Sequence, residues 1–218
     1  MTRVKICGIT NARDARAAID LGTAALGFNF YEKSPRAISP AAAWKIRQTL
    51  PKEVQAVGVF VDWKPAAVLA LAAALELSAV QLHGDEAPGD AAFCARKVAV
   101  IKAFRVGKGF SMAEFGKFRN VSWFLLDGER AGQYGGTGRT TNWDLARKAA
   151  ARRTIILAGG LTPENVAAAI LAVRPYAVDV ASGVEWRPGK KDHGKMREFF
   201  REVERVNWEL RRGKEVMK

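Results

Sequence analysis

Short runs of valine, isoleucine, leucine and phenylalanine alternate along the chain with alanine-rich stretches whose apolar residues recur at helical spacing. This alternation is typical of βα units that build a parallel sheet. The apolar runs predict eight strands, at residues 4–7, 25–30, 55–61, 79–83, 98–104, 121–127, 154–159 and 177–182. The helical patterns include residues 12–22, 40–50, 65–77 and 163–173. Thr162 as N-cap, followed by Pro163, is a favourable start for the last of these helices.

The number and order of these units indicate the fold class. Eight consecutive βα units, with no linker or low-complexity tract, predict an α/β fold, a single-domain (β/α)8 TIM barrel over residues 1–218. A doubly wound open sheet is the alternative, but it typically has fewer strands and carries a glycine fingerprint for a nucleotide. The glycine-rich stretch 132–141 matches no such fingerprint. From about Arg205 onwards we expect a basic C-terminal helical extension.

The chain is strongly basic. Its formal net charge is +13, which would suit a polyanion or a phosphorylated metabolite. The basic residues are spread along the chain, with local excess at 147–153, at 187–191 and in the C-terminal tail. No motif that combines aromatic and basic residues accompanies these clusters, so nucleic-acid binding is not expected. The charge alone keeps a nucleic-acid-binding or scaffold protein open as an alternative.

The two cysteines indicate the compartment. Cys7 and Cys94 match no metal-ligand spacing and are too few for a disulfide scaffold, so we expect a reducing compartment, the cytoplasm. The N-terminus lacks the apolar core of a signal peptide, and no uncharged run approaches the roughly 18 residues that span a bilayer. Neither export nor a membrane partner is expected.

In a barrel of this kind, the residues at the C-terminal ends of the strands face one common mouth, where such enzymes perform their chemistry. The predicted strand ends therefore nominate a site. They are Cys7, Asn29, Asp62, His83, Arg105, Asp127, Gly159 with Gly160, and Ser182 with Gly183.

Asp127 and Cys7 are the candidate acid and base. Asp127 follows the apolar run 123–126, and partial desolvation would disfavour its charged form, as a general acid requires. Cys7 can serve as a base or a nucleophile when it is a thiolate. A nucleophilic cysteine would need a histidine, and His83 is the histidine at a predicted strand end, so a Cys–His pair stays open. No metal site is expected, because His83, His193 and the scattered carboxylates show no ligand spacing.

Small residues after the last two predicted strands indicate a phosphate site. Gly159 and Gly160 follow the seventh apolar run, and Ser182 and Gly183 follow the eighth. Glycines let backbone amides approach an anion closely, and the loops after strands 7 and 8 are the recurrent phosphate site of this fold. We therefore predict a small phosphorylated substrate.

Two loops offer further contacts to a ligand. Residues 128–143 form a long glycine-rich stretch whose composition suits a flexible cover. Residues 34–39 form a second loop, and Arg36 within it could bind a substrate carboxylate through two parallel hydrogen bonds.

Several stretches together carry a family resemblance that runs in order from residue 4 to residue 192. They are VKICGIT, LGFNFYEKSPRAIS, VGVFV, VQLHGDE, LLD followed by GGTG, LAGGLTPENV and VDVASGVEWRPGKKD. With them, the sequence resembles the phosphoribosylanthranilate isomerase family of tryptophan biosynthesis. The resemblance implies an Amadori rearrangement of N-(5'-phosphoribosyl)anthranilate without metal or organic cofactor. We expect a monomer or a homodimer.

The resemblance also implies roles for individual residues. Asp127 would be the general acid that protonates the furanose ring oxygen, and Cys7 the general base that removes the C2 proton. Arg36 would contact the anthranilate carboxylate, with His83 as a further substrate contact and Asp179 near the sugar or amine. Phosphate would lie on the backbone of the glycines and serine after the last two strands, namely Gly159, Gly160, Ser182 and Gly183.

The sequence departs from the family pattern at Thr141 and Asn142, where an aromatic residue and an aspartate would be expected. This leaves the closure of the glycine-rich loop open. The nearest rival enzyme is the histidine-pathway isomerase of similar fold, which performs the same rearrangement with two aspartates. Cys7 argues against that rival, because an aspartate would be expected at the same strand end.

Overall fold

The computed structural model describes residues 1–107, 110–128 and 142–215, the last three of these by backbone alone. Within these ranges, eight parallel strands form a closed barrel. They are β1 (Arg3–Cys7), β2 (Ala25–Asn29), β3 (Gln55–Phe60), β4 (Ala79–Leu82), β5 (Ala99–Val106), β6 (Trp123–Gly128), β7 (Ile155–Leu157) and β8 (Ala177–Val180). A short antiparallel hairpin, β9 (Glu185–Arg187) and β10 (Lys190–Lys191), follows the barrel.

The ring closes where β8 pairs with β1, in a register that runs from Arg3 opposite Ala177 to Ile6 opposite Val180. Every other strand pairs with its neighbours in sequence. The predicted (β/α)8 barrel is therefore confirmed, and the doubly wound alternative is wrong because an open sheet has two unpaired edges.

The helices follow the strands in chain order. They are α1 (Ala12–Asp20), α2 (Pro40–Arg47), α3 (Pro65–Ala74), α4 (Pro88–Cys94), α5 (Glu114–Lys117), α6 (Trp143–Ala150), α7 (Val166–Val173) and α8 (His193–Glu215). The Asn11 side chain accepts the Asp14 N–H at 2.9 Å and caps α1, and prolines occupy the first position of α2, α3 and α4. No helix in the described ranges is both long and apolar enough to cross a membrane.

The start of α7 differs from the prediction. The helix begins at Val166 rather than at Pro163, because Asn165 organises a turn before it. The Thr162 N–H donates to Asn165 Oδ1 at 2.9 Å, and Asn165 Nδ2 donates to the Gly160 carbonyl oxygen at 2.8 Å. The loop after β7 is therefore fixed by a side chain that follows it, not by a cap at Thr162.

The last helix, α8, forms buried hydrogen bonds with Thr2, the residue just before β1. The Thr2 N–H donates to Asn207 Oδ1 at 2.8 Å, and Asn207 Nδ2 donates back to the Thr2 carbonyl oxygen at 2.9 Å, both in a buried position. At the start of α8, His193 Nε2 lies 2.9 Å from Asp14 Oδ1. The segment from about Arg205 continues the same helix as far as Glu215.

The apolar core has two layers, because alternate residues of each strand point to opposite faces. The larger layer packs strands against helices and includes the fully buried Phe28, Phe60 and Phe199. The smaller layer is formed by the inward side chains of the barrel, which are mostly short: Ala25, Val57, Ala79, Ile101, Ala103, Leu125, Ile156, Ala158 and Ala177. Towards the C-terminal ends of the strands the inward positions become polar, and the candidate site begins there.

Candidate active site

The C-terminal ends of the strands open into a cavity of about 430 Å³. Most of the predicted site residues line it: Cys7, Arg36, His83, Asp127, Gly159, Gly160, Asp179 and Ser182. Gly183 is not among its lining residues, and neither are Asp62 and Arg105, which both contact Asp85 instead. Within the described part of the chain, no group of three or more His, Cys, Asp or Glu side chains is arranged to hold a metal ion.

Cys7 ends β1, and its thiol points into the barrel on the same strand face as Lys5. Burial raises the pKa of the Cys7 thiol above its usual value. The ammonium groups of Lys5 and Lys191 lower this pKa, whereas the Asp179 carboxylate raises it. The two cations therefore offset part of the cost of forming a thiolate in a buried position.

Asp127 lies near the end of β6 and is only 4% exposed. Its Oδ1 accepts the Gly128 N–H at 2.8 Å, and its Oδ2 lies 3.3 Å from His83 Nε2. On the other side of the imidazole, Gln81 Nε2 lies 2.7 Å from His83 Nδ1. With the Gln81 amide oriented as the donor, neutral His83 carries its proton on Nε2, the nitrogen nearest to Asp127.

His83 and Asp127 are close without being aligned. His83 Nε2 makes no hydrogen bond to any described residue despite the 3.3 Å separation, and Gln81 Oε1 is unpaired in the same way. Because buried polar groups normally have partners, these atoms are candidates for contact with a polar ligand. The contacts found for the His83 imidazole are with Gln81 and Asp127, which gives no support to a Cys7–His83 pair.

Arg36 forms an ion pair with the buried Glu185, which also binds Lys191. Its Nε lies 2.9 Å from Glu185 Oε1 and its Nη2 2.7 Å from Oε2, a bidentate pair. Lys191 Nζ donates to Glu185 Oε1 at 3.0 Å and to the carbonyl oxygens of Cys7 at 2.6 Å and Ala181 at 3.0 Å. Arg36 lines the cavity. The side-chain hydrogen bonds of its guanidinium group use Nε and Nη2, and Nη1 has no partner among the described residues. The guanidinium group therefore keeps one donor nitrogen for a ligand.

The loops after β7 and β8 meet at the cavity. Gly159 and Gly160 adopt the left-handed φ values of +85° and +64°, which favour glycine. A side chain at Gly183 would place its Cβ only 1.8 Å from the Leu161 carbonyl oxygen. The loop after β8 therefore packs against the loop after β7 because residue 183 has no side chain, which brings Ser182 to the cavity wall.

The predicted flexible cover falls largely on residues 129–141, which lie outside the described residues, as does the departure at Thr141. On either side of them the chain is regular. Gly128 ends β6, and Asn142 Oδ1 accepts the Leu145 N–H at 3.1 Å, so Asn142 caps α6.

With this geometry established, comparison with known proteins decides the family. The sequence model of N-(5'phosphoribosyl)anthranilate (PRA) isomerase matches residues 4–202. The chain belongs to the phosphoribosylanthranilate isomerase family.

Individual members of the phosphoribosylanthranilate isomerase family resemble the chain over nearly its whole length. The N-(5'-phosphoribosyl)anthranilate isomerase of Pelobacter propionicus is 53% identical over 202 residues, which cover 92% of this chain and 95% of that protein. A crystal structure of a phosphoribosylanthranilate isomerase in complex with reduced 1-(o-carboxyphenylamino)-1-deoxyribulose 5-phosphate has 43% identity and a TM-score of 0.84, over 94% of this chain and 99% of that one. A structure of monomers generated from the dimeric enzyme of Thermotoga maritima has 42% identity and the same TM-score of 0.84, with the same coverage of 94% and 99%.

Four residues in or behind the candidate site were not predicted from the sequence, namely Lys5, Gln81, Glu185 and Lys191. Lys5 and Gln81 each lie two positions before a predicted site residue, Cys7 or His83, on the same strand face, so the period-two pattern of the strands could have found them. Glu185 and Lys191 gave no such signal. They lie on the hairpin after the barrel, and Glu185 is 149 positions from the arginine that it holds.

Proposed function

We propose that this chain converts N-(5'-phosphoribosyl)anthranilate into 1-(2-carboxyphenylamino)-1-deoxyribulose 5-phosphate, a step of tryptophan biosynthesis, by general acid–base catalysis without metal or organic cofactor. One observation carries the proposal. A buried carboxyl group, Asp127, and a thiol, Cys7, line the same cavity as the loops after β7 and β8. The related structure that holds the reduced product supports the same chemistry.

In the first step Asp127 acts as the general acid. Its proton goes to the furanose ring oxygen, the bond between that oxygen and C1 breaks, and the nitrogen lone pair forms the C=N bond of a protonated Schiff base. The carboxylate that remains accepts the Gly128 N–H and faces His83 Nε2 at 3.3 Å. The Gly128 N–H, a donor that is already in place, stabilises this new negative charge without reorganisation.

In the second step Cys7 acts as the general base. The protonated Schiff base makes the C2 proton acidic, and the thiolate takes it. The electrons of the C–H bond form a C1=C2 double bond, and those of the C=N bond return to nitrogen. The resulting enolamine tautomerises to the ketone product, with the carbonyl group at C2 and a CH2 group at C1.

The remaining site residues hold the substrate in place. Arg36 binds the anthranilate carboxylate through the nitrogen that Glu185 leaves free, His83 offers its Nε2 proton, and Asp179 lies near the sugar or amine. Phosphate binds to main-chain groups of the loops after β7 and β8, at Gly159, Gly160 and Ser182, while Gly183 lets the two loops pack together behind them.

The deciding experiment follows the fluorescence of the anthranilate group as the purified chain consumes N-(5'-phosphoribosyl)anthranilate, and we expect saturable turnover. The aminoimidazole substrate of the histidine-pathway isomerase is assayed in parallel, and turnover of that substrate alone would refute the assignment. RNA is added in a third assay. Salt-dependent RNA binding with no turnover would favour the alternative that the charge of +13 leaves open.

The pair formed by Arg36 and Glu185 gives a prediction about substrate binding. Arg36→Lys keeps the positive charge but loses the planar guanidinium fork, which binds Glu185 through two nitrogens and leaves a third for a ligand carboxylate. We expect KM for N-(5'-phosphoribosyl)anthranilate to rise by about 10- to 100-fold, the value of one charged hydrogen bond, with a much smaller change in kcat. Steady-state kinetics measures both constants.

The matched control for Arg36→Lys is a substrate that lacks the carboxylate, N-(5'-phosphoribosyl)aniline. The substitution should change the KM for this analogue little, because the contact that it weakens is absent. An equal loss with both substrates would show that Arg36 does not recognise the carboxylate.

We further propose that the isomerase acts as a monomer or a homodimer in the cytoplasm. A dimeric relative from Thermotoga maritima supports the first part. The second part is supported by two free cysteines, Cys7 and Cys94, which fit a reducing compartment. Size-exclusion chromatography with light scattering tests the assembly, and a tetramer or larger species would contradict it.

A further inference from the structure

A buried lysine lies inside the barrel next to Cys7, and the mechanism above leaves it without a role. Lys5 is 2% exposed, and its Nζ donates to Asp179 Oδ1 at 2.8 Å across the pairing between β1 and β8. Although burial alone lowers the pKa of Lys5, the Asp179 carboxylate and the Cys7 thiolate raise it, and the result lies above the usual value. The Asp179 carboxylate therefore favours the charged form of Lys5 at the base of the cavity wall.

Gly27 on β2 provides the space in which Lys5 and Cys7 meet. A Cβ atom on Gly27 would lie 2.8 Å from Cys7 Sγ and 3.0 Å from Lys5 Nζ. The sulfur and the ammonium nitrogen thus converge on the same point, which any larger residue would fill. This arrangement sets a positive charge directly beside the thiol.

Of the charged groups that the structure describes around Cys7, only Lys5 combines a favourable charge with a side-chain hydrogen bond to the thiol. Asp179 on β8 disfavours the thiolate. Lys191 on β10 has three N–H donors, and they bond to the carbonyl oxygens of Cys7 and Ala181 and to Glu185 Oε1. None of these three bonds goes to the sulfur atom. The neighbouring strand β2 carries no titratable side chain.

We propose that Lys5 is a positioning residue for the general base: held by Asp179 in the space left by Gly27, its ammonium group stabilises the Cys7 thiolate and keeps it directed into the cavity. This inference rests on the proposed function insofar as it makes Cys7 the base. It assigns a role to Lys5 and a reason for glycine at position 27.

The test measures Cys7 directly, without substrate. Iodoacetamide alkylates the thiolate form, so the pH midpoint of Cys7 alkylation reports how readily the thiolate forms. Peptide mapping by mass spectrometry separates Cys7 from Cys94. In Lys5→Met, we expect the midpoint to move upwards by about one pH unit or more, the usual effect of removing a neighbouring opposite charge. In the isomerase assay kcat should fall while KM changes little.

A second variant and a control make the result decisive. Lys5→Met leaves Asp179 buried without its partner, so Gly27→Ala is tested as well. It keeps every charge but places a methyl group between the sulfur and the ammonium, and it should move the midpoint in the same direction. The control is Lys102→Met, which removes another buried lysine. Lys102 is paired with Glu86 at 2.7 Å and lies on the far side of the barrel from Cys7. This substitution should leave the pH midpoint of Cys7 alkylation unchanged.

An unchanged midpoint in Gly27→Ala, or in Lys5→Met that keeps a native circular dichroism spectrum, overturns the proposal. An equal shift in Lys102→Met also overturns it, because the effect would then be general destabilisation. Failure of the proposed function is a separate result. A shifted midpoint in a protein that does not turn over N-(5'-phosphoribosyl)anthranilate would uphold the role of Lys5 and refute the isomerase activity.

Discussion

We expect Asp127→Asn to lower kcat/KM for N-(5'-phosphoribosyl)anthranilate by about 10³-fold or more, within the range usual for loss of a general acid. The amide has nearly the shape of the carboxyl group, and its oxygen can still accept the Gly128 N–H that Asp127 accepts at 2.8 Å. It has no acidic proton to transfer to the ring oxygen. The fluorescence assay measures the loss, and the loss should fall on kcat because ring opening becomes the slow step.

Two controls separate this chemical role from damage to the fold. Asp127→Asn should still bind reduced 1-(2-carboxyphenylamino)-1-deoxyribulose 5-phosphate with little loss of affinity, since that compound needs no proton from the enzyme. Asp62→Asn is the matched variant. It changes an exposed aspartate just beyond the end of β3, outside the cavity lining, and should leave kcat/KM unchanged. Activity of Asp127→Asn within tenfold of the unchanged enzyme would show that another group supplies the proton.

The barrel was predictable because its signals are local. Eight short apolar runs each describe a strand buried on both faces, and the ends of parallel strands converge whichever loops join them. That rule alone brought Cys7 and Asp127 to one cavity from opposite halves of the chain. The glycines after β7 and β8 could be found in the same way, although Gly183 lies behind the wall and acts by letting two loops touch.

Contacts between distant segments could not be predicted. The Arg36 loop gave no sign that Glu185 would hold its guanidinium group, because that pairing depends on how the β9–β10 hairpin folds over the barrel mouth. The start of α7 was misplaced for a related reason. Thr162 followed by Pro163 is a favourable helix start by itself. In the structure, Asn165 Nδ2 donates to the Gly160 carbonyl oxygen and stabilises a turn, so the helix begins only after Asn165.

The contacts of Lys5 were only partly predictable from the sequence. A lysine at an inward position of a barrel strand is costly to bury unless a carboxylate accompanies it, and the sequence placed Asp179 on the strand that closes the ring. Lys5 lies at the same inward-facing parity as Cys7 on β1, and closure of the barrel pairs β1 with β8. These two features together could have predicted the pair of Lys5 and Asp179. The approach of Lys5 to Cys7 depended on the missing side chain of Gly27, which only the structure reveals.

We expect Cys7→Ser to lower kcat by about 10²- to 10⁴-fold, the contribution usual for a general base, and to make proton removal from C2 the slow step. A serine hydroxyl fits the same space beside Lys5, but it loses its proton far less readily than a thiol does. Burial raises the pKa of the Cys7 thiol, and the same burial would disfavour a serine alkoxide at this position. An alkoxide at this position would be rarer than the thiolate by many orders of magnitude.

Substrate deuterated at C2 distinguishes loss of the base from other damage. In Cys7→Ser, proton removal from C2 limits the rate, so the deuterated substrate should react several-fold more slowly than the ordinary one. In Asp127→Asn, ring opening comes first and limits the rate, so the two substrates should react at equal rates. Cys94→Ala, which changes a fully buried thiol on α4 away from the cavity, should behave like the unchanged enzyme. If Cys7→Ser keeps nearly native turnover with no isotope effect, the base is another group and the acid–base pair proposed for this cavity is wrong.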